Sequence, residues 1–343
     1  MNINSSDVAL ISEHLQDDIS RNIYANRLLY ATTGNIGYLR NVCMTIPEVI
    51  SFVDWIDKHK KREKILFGAG QWGNWIRETF DNIKWDFFAD NKVDKKTIHG
   101  IPVINPEDLV SSHKDSVVII TSKYYWQEIY EQLIDKGFAD EQICCLGKII
   151  SEIESKIYFD LSDLPHASHE VFVDAGGYDG QSSLDFAKWA STSEDFVITI
   201  FEPDSSSQKK CQKTLVGIKS VNIIPKGLWD KDDVLLFDIN GSESKIIDYS
   251  DKAIKIPVTS LDNVFKEHPV TFIKMDIEGS ELKARRGGVE TIKQYKPKLA
   301  ISIYHKPEDL IEIPKLLLEM NPKYKFWIRH YSMSWFDTVL YAI

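Results

Sequence analysis

Apolar residues recur at three- and four-residue steps from the start of the chain. Val8, Ile11, Leu15, Ile19 and Ile23 make residues 7–30 read as an amphipathic helix. A second helix is expected from Thr45-Ile-Pro-Glu48, where Thr and Glu have capping-box spacing and Pro suits the first turn. Its apolar face is Val49, Ile50, Val53 and Ile56, and such stripes suit core packing or self-association. From Lys64 the pattern changes to short apolar runs separated by helical stretches. Lys64–Phe67, Trp85–Ala89, Val117–Thr121 and Ile143–Leu146 read as strands, with helices after Gly73 and over 124–136.

Residues 151–168 carry weak periodicity and read as a linker, after which the alternation restarts. Strands are expected at Val171–Val173, Val197–Phe201, Val221–Ile224, Val234–Phe237, Thr271–Met275, Leu299–Ile303, Lys325–Ile328 and Thr338–Tyr341. Helices fit over 205–214, 280–295 and 307–320, while the last two strands have none between them and suggest an antiparallel edge. Strands alternating with crossover helices mean an α/β chain with parallel sheets. The segmentation is therefore a helical 1–62, a small α/β domain over 63–150, a linker over 151–168 and a larger α/β domain over 169–343.

Composition narrows the functional classes. A net charge of -10 leaves no basic surplus for nucleic acid or an anionic membrane. The N-terminal run Met1–Asp7 lacks the basic start and apolar core of a signal peptide, and no apolar run approaches the roughly 20 residues of a membrane span. A cytoplasmic protein is expected. Cys43, Cys144, Cys145 and Cys211 show no paired metal spacing and read as buried free thiols.

The richest chemistry lies in the second α/β domain. Asp174-Ala175-Gly176-Gly177-Tyr178-Asp179-Gly180 follows a strand and opens a helix. Its glycines permit a sharp turn with a ligand against the main chain, and the helix start offers free N–H groups. An acid ahead of the first glycine suits a cationic ligand better than a diphosphate. The next strand ends at Phe201-Glu202-Pro203-Asp204, where Glu202 is placed to accept ribose hydroxyls and Asp204 to cap a helix. Lys274-Met-Asp276-Ile-Glu278-Gly-Ser-Glu281 releases three acids from a buried strand, Glu281 being a candidate cap. His305, just after a later strand, is a candidate general base, with Asp276 and Glu278 as rivals. Two acids alone are a weak metal signal, so no metal site is expected. Arg329 and His330 are candidate acceptor contacts, and Lys274 and Lys306 read as solvated or ion-paired.

These segments, with Ile256–Asp262 and Tyr304–Leu310 between and after them, together resemble the FkbM-type methyltransferase family over residues 168–343. The resemblance implies a class I methyltransferase fold with a mostly parallel seven-stranded sheet. It implies S-adenosylmethionine as cofactor, held by Asp174, Ala175, Gly176, Gly177, Gly180, Glu202, Pro203 and Asp276, and O-methylation of a sugar-type hydroxyl. Tyr178 stands where many members carry Asn, so that side chain's contact does not transfer.

In the first α/β domain, Gly68-Ala-Gly70-Gln-Trp-Gly73 follows a strand, with Asp90 about 20 residues downstream, the dinucleotide pattern. The segment resembles Rossmann-like domains attached to surface-sugar biosynthesis enzymes. Gly68, Gly70, Gly73 and Asp90 would then hold a nucleotide or nucleotide sugar that presents the methyl acceptor, or the glycines only tighten the strand–helix turn. An NAD(P)-dependent sugar-nucleotide oxidoreductase, or a non-catalytic nucleotide-sugar binding protein, are the competing readings.

Overall fold

The computed structural model describes residues 4–92, 96–162, 164–193, 195–238, 240, 244–247, 249 and 253–343. Residues 1–3 of the N-terminal run, 93–95 within the expected 63–150 domain and 163 within the expected linker lie outside the described residues. The chain divides into two compact units. One comprises Met1–Tyr24, Tyr158–Arg329 and Asp337–Ile343; the other comprises Ala25–Ile157 and His330–Phe336.

The larger unit is built on a seven-stranded sheet. Its strands are β1 (His169–Ala175), β2 (Asp195–Phe201), β3 (Val221–Ile224), β4 (Phe272–Met275), β5 (Lys298–Ser302), β6 (Phe326–His330) and β7 (Thr338–Ala342). Their order is β6-β7-β5-β4-β1-β2-β3. β3, β2, β1, β4 and β5 run parallel, and β7 is antiparallel to β5. Val, Ile and Phe dominate these strands, and β4, β5 and β7 are buried at every position. Unbroken apolar runs of this kind belong to parallel strands covered on both faces. The helices Ser205–Thr214 and Asp309–Met320 lie where the periodicity predicts them.

Four details differ from the sequence expectation. The strand at 233–238 leaves the main sheet and pairs with Lys245–Ile247 and Ile254–Thr259 in a separate four-stranded sheet. The helix expected over 280–295 is cut at Gly287-Gly288 into Glu281–Arg286 and Val289–Tyr295; a Cβ on Gly287 would sit 2.3 Å from the Trp229 carbonyl oxygen. The first helix breaks after His14, because Leu15 bridges to Phe326 and the Gln16 N–H donates to the Phe326 carbonyl, capturing the backbone at the sheet. The Thr45 capping box does not form. Ile46 is the N-cap, and the Thr45 hydroxyl donates backward to the Val42 carbonyl at 2.7 Å.

The smaller unit carries a six-stranded sheet, ordered 97–98, 101–104, 87–89, 64–67, 117–120, 143–144. Among the described residues all its pairings are parallel except 97–98 with 101–104, a short hairpin between the expected strands at 85–89 and 117–121. Its core gathers Ile65, Phe67, Val118, Ile120, Leu109 and Leu133. Cys43, Cys144 and Cys211 are buried. Among the described residues no helix is long and apolar enough to cross a membrane.

Candidate cofactor and active site

Register brings the expected residues of the larger unit together. Ala175, at the end of β1, is aligned with Phe201 of β2 on one side and Met275 of β4 on the other. The residues that follow, Gly176, Glu202 and Asp276, therefore leave three adjacent parallel strands at one level. In open α/β sheets that edge is where ligands bind.

Gly176 is locked in place by this proximity. Its φ is +84°, and a Cβ would lie 1.9 Å from the Asp276 carbonyl oxygen. A Cβ on Gly177 would meet Ile200 at 2.2 Å. Gly180 takes φ +82° as the N-cap of the helix Gln181–Trp189. Tyr178, between them, is held at φ 45°, with the Lys210 ammonium 4.4 Å from its ring centre. Such strained backbone concentrates at ligand sites.

Asp174 is placed differently from the expectation of direct ligand contact. It is fully buried beneath the loop. Its Oδ2 accepts from the hydroxyls of Ser182 and Ser183 at 2.6 Å each, and its Oδ1 lies 3.0 Å from the Lys274 ammonium. Lys274 also donates to the Gly176 carbonyl at 2.7 Å and to that of Ala175 at 3.3 Å, so it ties the acid and the glycine loop together. Burial opposes the ammonium charge, but Asp174, Asp276 and Glu202 outweigh it and raise the Lys274 pKa above its ordinary value.

Glu202 is buried, and its two oxygens accept from the backbone N–H groups of Tyr178 (2.8 Å) and Asp204 (2.9 Å). Burial raises its pKa. Pro203 is half-buried beside it. Asp204 caps its helix by accepting from the Ser207 N–H at 2.8 Å.

Beyond β4 and β5 lies a second cluster. His305 presents Nδ1 to Glu281 at 3.1 Å and Nε2 to Glu278 at 3.4 Å and Asp276 at 3.5 Å. Burial works against a charged ring, yet the carboxylates of Glu278, Glu281 and Asp276 hold the imidazole pKa up at about 11. Glu281 also accepts from the Ile277 N–H at 2.9 Å, bracing the loop that carries Asp276 and Glu278. Glu278 sits at φ 56°, and burial raises its pKa. The Tyr158 hydroxyl donates to Asp276 Oδ2 at 2.8 Å, and that of Tyr304 lies 3.4 Å from Oδ1. Burial and the Asp276 charge push both phenols well above their usual range.

Other expected residues are not brought here. The Arg329 guanidinium pairs with Asp17 at 2.6 Å. His330 is buried, with Cys43 Sγ 3.8 Å from its Nε2. In the smaller unit, Gly68 (φ +115°) and Gly73 make one tight turn, since a Cβ on Gly73 would lie 2.0 Å from the Gly68 carbonyl. A Cβ on Gly70 would meet nothing within 4 Å. Asp90 accepts from the backbone N–H groups of Ala69 and Lys92, both at 2.9 Å, so its carboxylate shapes that turn.

Residues 174–324 match the model of the methyltransferase FkbM domain. The matched residues contain the glycine loop, Glu202 and the Asp276–His305 cluster. Among solved structures, the chain is similar to a methyltransferase FkbM from Methylobacillus flagellatus, with 19% identity and a TM-score of 0.52. That match covers 87% of this chain and 94% of the other, so the likeness in fold extends beyond residues 174–324. Fibrillarin from Aeropyrum pernix, solved with natively bound S-adenosyl-L-methionine, matches at 9% identity and TM-score 0.36, covering 56% of this chain and 74% of its own. Methanococcus jannaschii fibrillarin matches at 12% identity and TM-score 0.34, covering 56% and 73%. The comparison with curated proteins found no match.

Sequence reasoning missed Tyr158, Tyr304 and the paired serines under Asp174. Ser182 and Ser183 were visible as hydroxyls in the first turn after Gly180, and Tyr304 as the neighbour of His305. Tyr158 lies in the segment read as a linker, where nothing marked it.

Proposed function

We propose that the larger unit is an S-adenosylmethionine-dependent methyltransferase acting on a hydroxyl oxygen of a small molecule of sugar type. The observation that carries this reading is the level at which Gly176, Glu202 and Asp276 leave three adjacent strands, with a cradle too tight for any Cβ. The donor set fits the cofactor: bare backbone at Gly176 and Gly177 for close approach, and the Glu202 carboxylate for ribose hydroxyls. Bound there, the cofactor supplies an activated methyl group on a sulfonium.

Asp174 and Lys274 act from below, holding the loop rather than touching the ligand. Asp276 has its oxygens engaged by Tyr158, Tyr304 and His305, which fix its orientation. Glu278 is left as the proton acceptor for the hydroxyl: its side chain is a quarter exposed, and His305 is the neighbour that steadies it. The cluster's work is to hold the acceptor oxygen in line and to take its proton. Glu278→Gln should lower kcat for methyl transfer about 100-fold while leaving S-adenosylhomocysteine affinity within about twofold. Equal turnover by Glu278→Gln and wild type would remove Glu278 from this role. For the smaller unit we propose that the turn at Gly68–Gly73 holds a nucleotide-linked sugar, tested by titrating a nucleoside diphosphate sugar against Gly73→Ala.

A further inference from the structure

The cluster beyond β4 and β5 is arranged around a point rather than in pairs. One ligand-type atom each from Asp276, Glu281 and His305 lies within 4.8 Å of the other two. An ion about 2.1–2.3 Å from each of three atoms holds them roughly 3–4 Å apart, inside that limit. The three come from different places, Asp276 from the end of β4, Glu281 from the first turn of the helix behind it and His305 from beyond β5, so their convergence is a product of the fold.

Two further features point to a ligand at that point. The His305 side chain is 8% exposed, and neither ring nitrogen makes an aligned hydrogen bond although three carboxylates stand within 3.5 Å. Glu281 is fully buried, and its Oε2 has no hydrogen-bond partner among the described residues. A deeply buried carboxylate oxygen without a donor is destabilising, so the arrangement is incomplete as a set of protein–protein contacts. Glu278, with Oε2 3.4 Å from His305, is close enough to complete the set as a fourth group.

We propose that Asp276, Glu281 and His305 form a binding site for a divalent first-row transition-metal cation. Two carboxylates and one imidazole, which gives up its proton to solvent as the ion takes its place, make a mixed oxygen–nitrogen donor set that suits Mn²⁺ or Zn²⁺ and disfavours Ca²⁺ and Mg²⁺. The ion would stand at the ends of β4 and β5, beside the cradle at Gly176. There it would serve as a Lewis acid toward an acceptor hydroxyl. That role rests on the methyltransferase reading; the binding of the ion does not.

The test is titration of the full-length, metal-stripped protein with MnCl₂ and no cofactor, followed by electron paramagnetic resonance. The expected result is one Mn²⁺ per chain, hyperfine coupling to a single ¹⁴N nucleus, and affinity at least tenfold above that for Mg²⁺. His305→Ala should abolish the nitrogen coupling, and Asp276→Asn should weaken binding at least tenfold. Should the His305 variant fail to fold, the ¹⁴N coupling of the wild type decides alone. Absence of Mn²⁺ binding, or bound Mn²⁺ without nitrogen coupling, would overturn the proposal. Loss of methyl transfer with Mn²⁺ binding intact would instead count against the methyltransferase reading.

Discussion

Replacing Lys274 by Met removes one member of the most deeply buried ion pair among the described residues, beneath the glycine loop. Asp174 has no exposure and the Lys274 side chain 4%, with 3.0 Å between charges, so water cannot take the lysine's place. Breaking a buried pair from one side destabilises by about 3–5 kcal/mol. The hydroxyls of Ser182 and Ser183 still donate to Asp174, which sets the expected loss at the low end, about 3 kcal/mol. For a unit of about 200 residues that corresponds to a Tm lower by roughly 6–12 °C. Calorimetric melting of wild type, Lys274→Met and the double variant Asp174→Asn/Lys274→Met provides the assay. The double variant should regain much of the loss, because it leaves no bare charge. S-adenosylhomocysteine affinity should fall with Lys274→Met even below its melting range, since the ammonium also clamps the Ala175 and Gly176 carbonyls. A Lys274→Met protein within about 1 kcal/mol of wild type would refute the buried-pair account.

Three further outcomes are expected. Gly176→Ala forces a Cβ against the Asp276 carbonyl and should abolish S-adenosylhomocysteine binding, whereas Gly70→Ala in the smaller unit, with open space around it, should stay within about 0.5 kcal/mol of wild type; melting and calorimetric titration check both. Burial, aided by the Arg27 charge, lowers the His330 pKa from 6.5 to about 3, so the unfolded chain binds the proton more readily. Stability from this group is complete above about pH 6.5 and is lost as pH falls, by about 2 kcal/mol at pH 5; denaturant unfolding of His330→Gln should show a correspondingly flatter dependence between pH 7 and 5. Glu202→Gln keeps the side chain's shape but removes its charge, and should weaken S-adenosylhomocysteine at least tenfold by calorimetry.

Much of this fold is legible in the sequence. The strands of the main sheet announced themselves as β-branched runs, and the glycine loop, Glu202 and Asp276 each follow one of those runs directly. What remained hidden depends on distance in sequence. The departure of 233–238 into a second sheet is set by pairing with Ile254–Thr259, which no local pattern encodes. The break after His14 reflects capture by Phe326, more than 300 residues away. Asp174 looked like a ligand contact because its partners lie elsewhere, Lys274 being a hundred residues downstream in the neighbouring strand. His305 read as a base because an isolated imidazole is one; three converging carboxylates change its chemistry, and only the fold brings them together. The weak metal signal had the same origin, since Glu281 and His305 become neighbours only in space.

The central claim is that the larger unit holds S-adenosylmethionine over Gly176 and beside Glu202. Calorimetric titration of the wild-type chain with S-adenosylhomocysteine tests it most directly. One site per chain is expected, with no detectable heat from the folded Gly176→Ala protein. Absence of binding to well-folded wild type, or binding undiminished by Gly176→Ala, would contradict it.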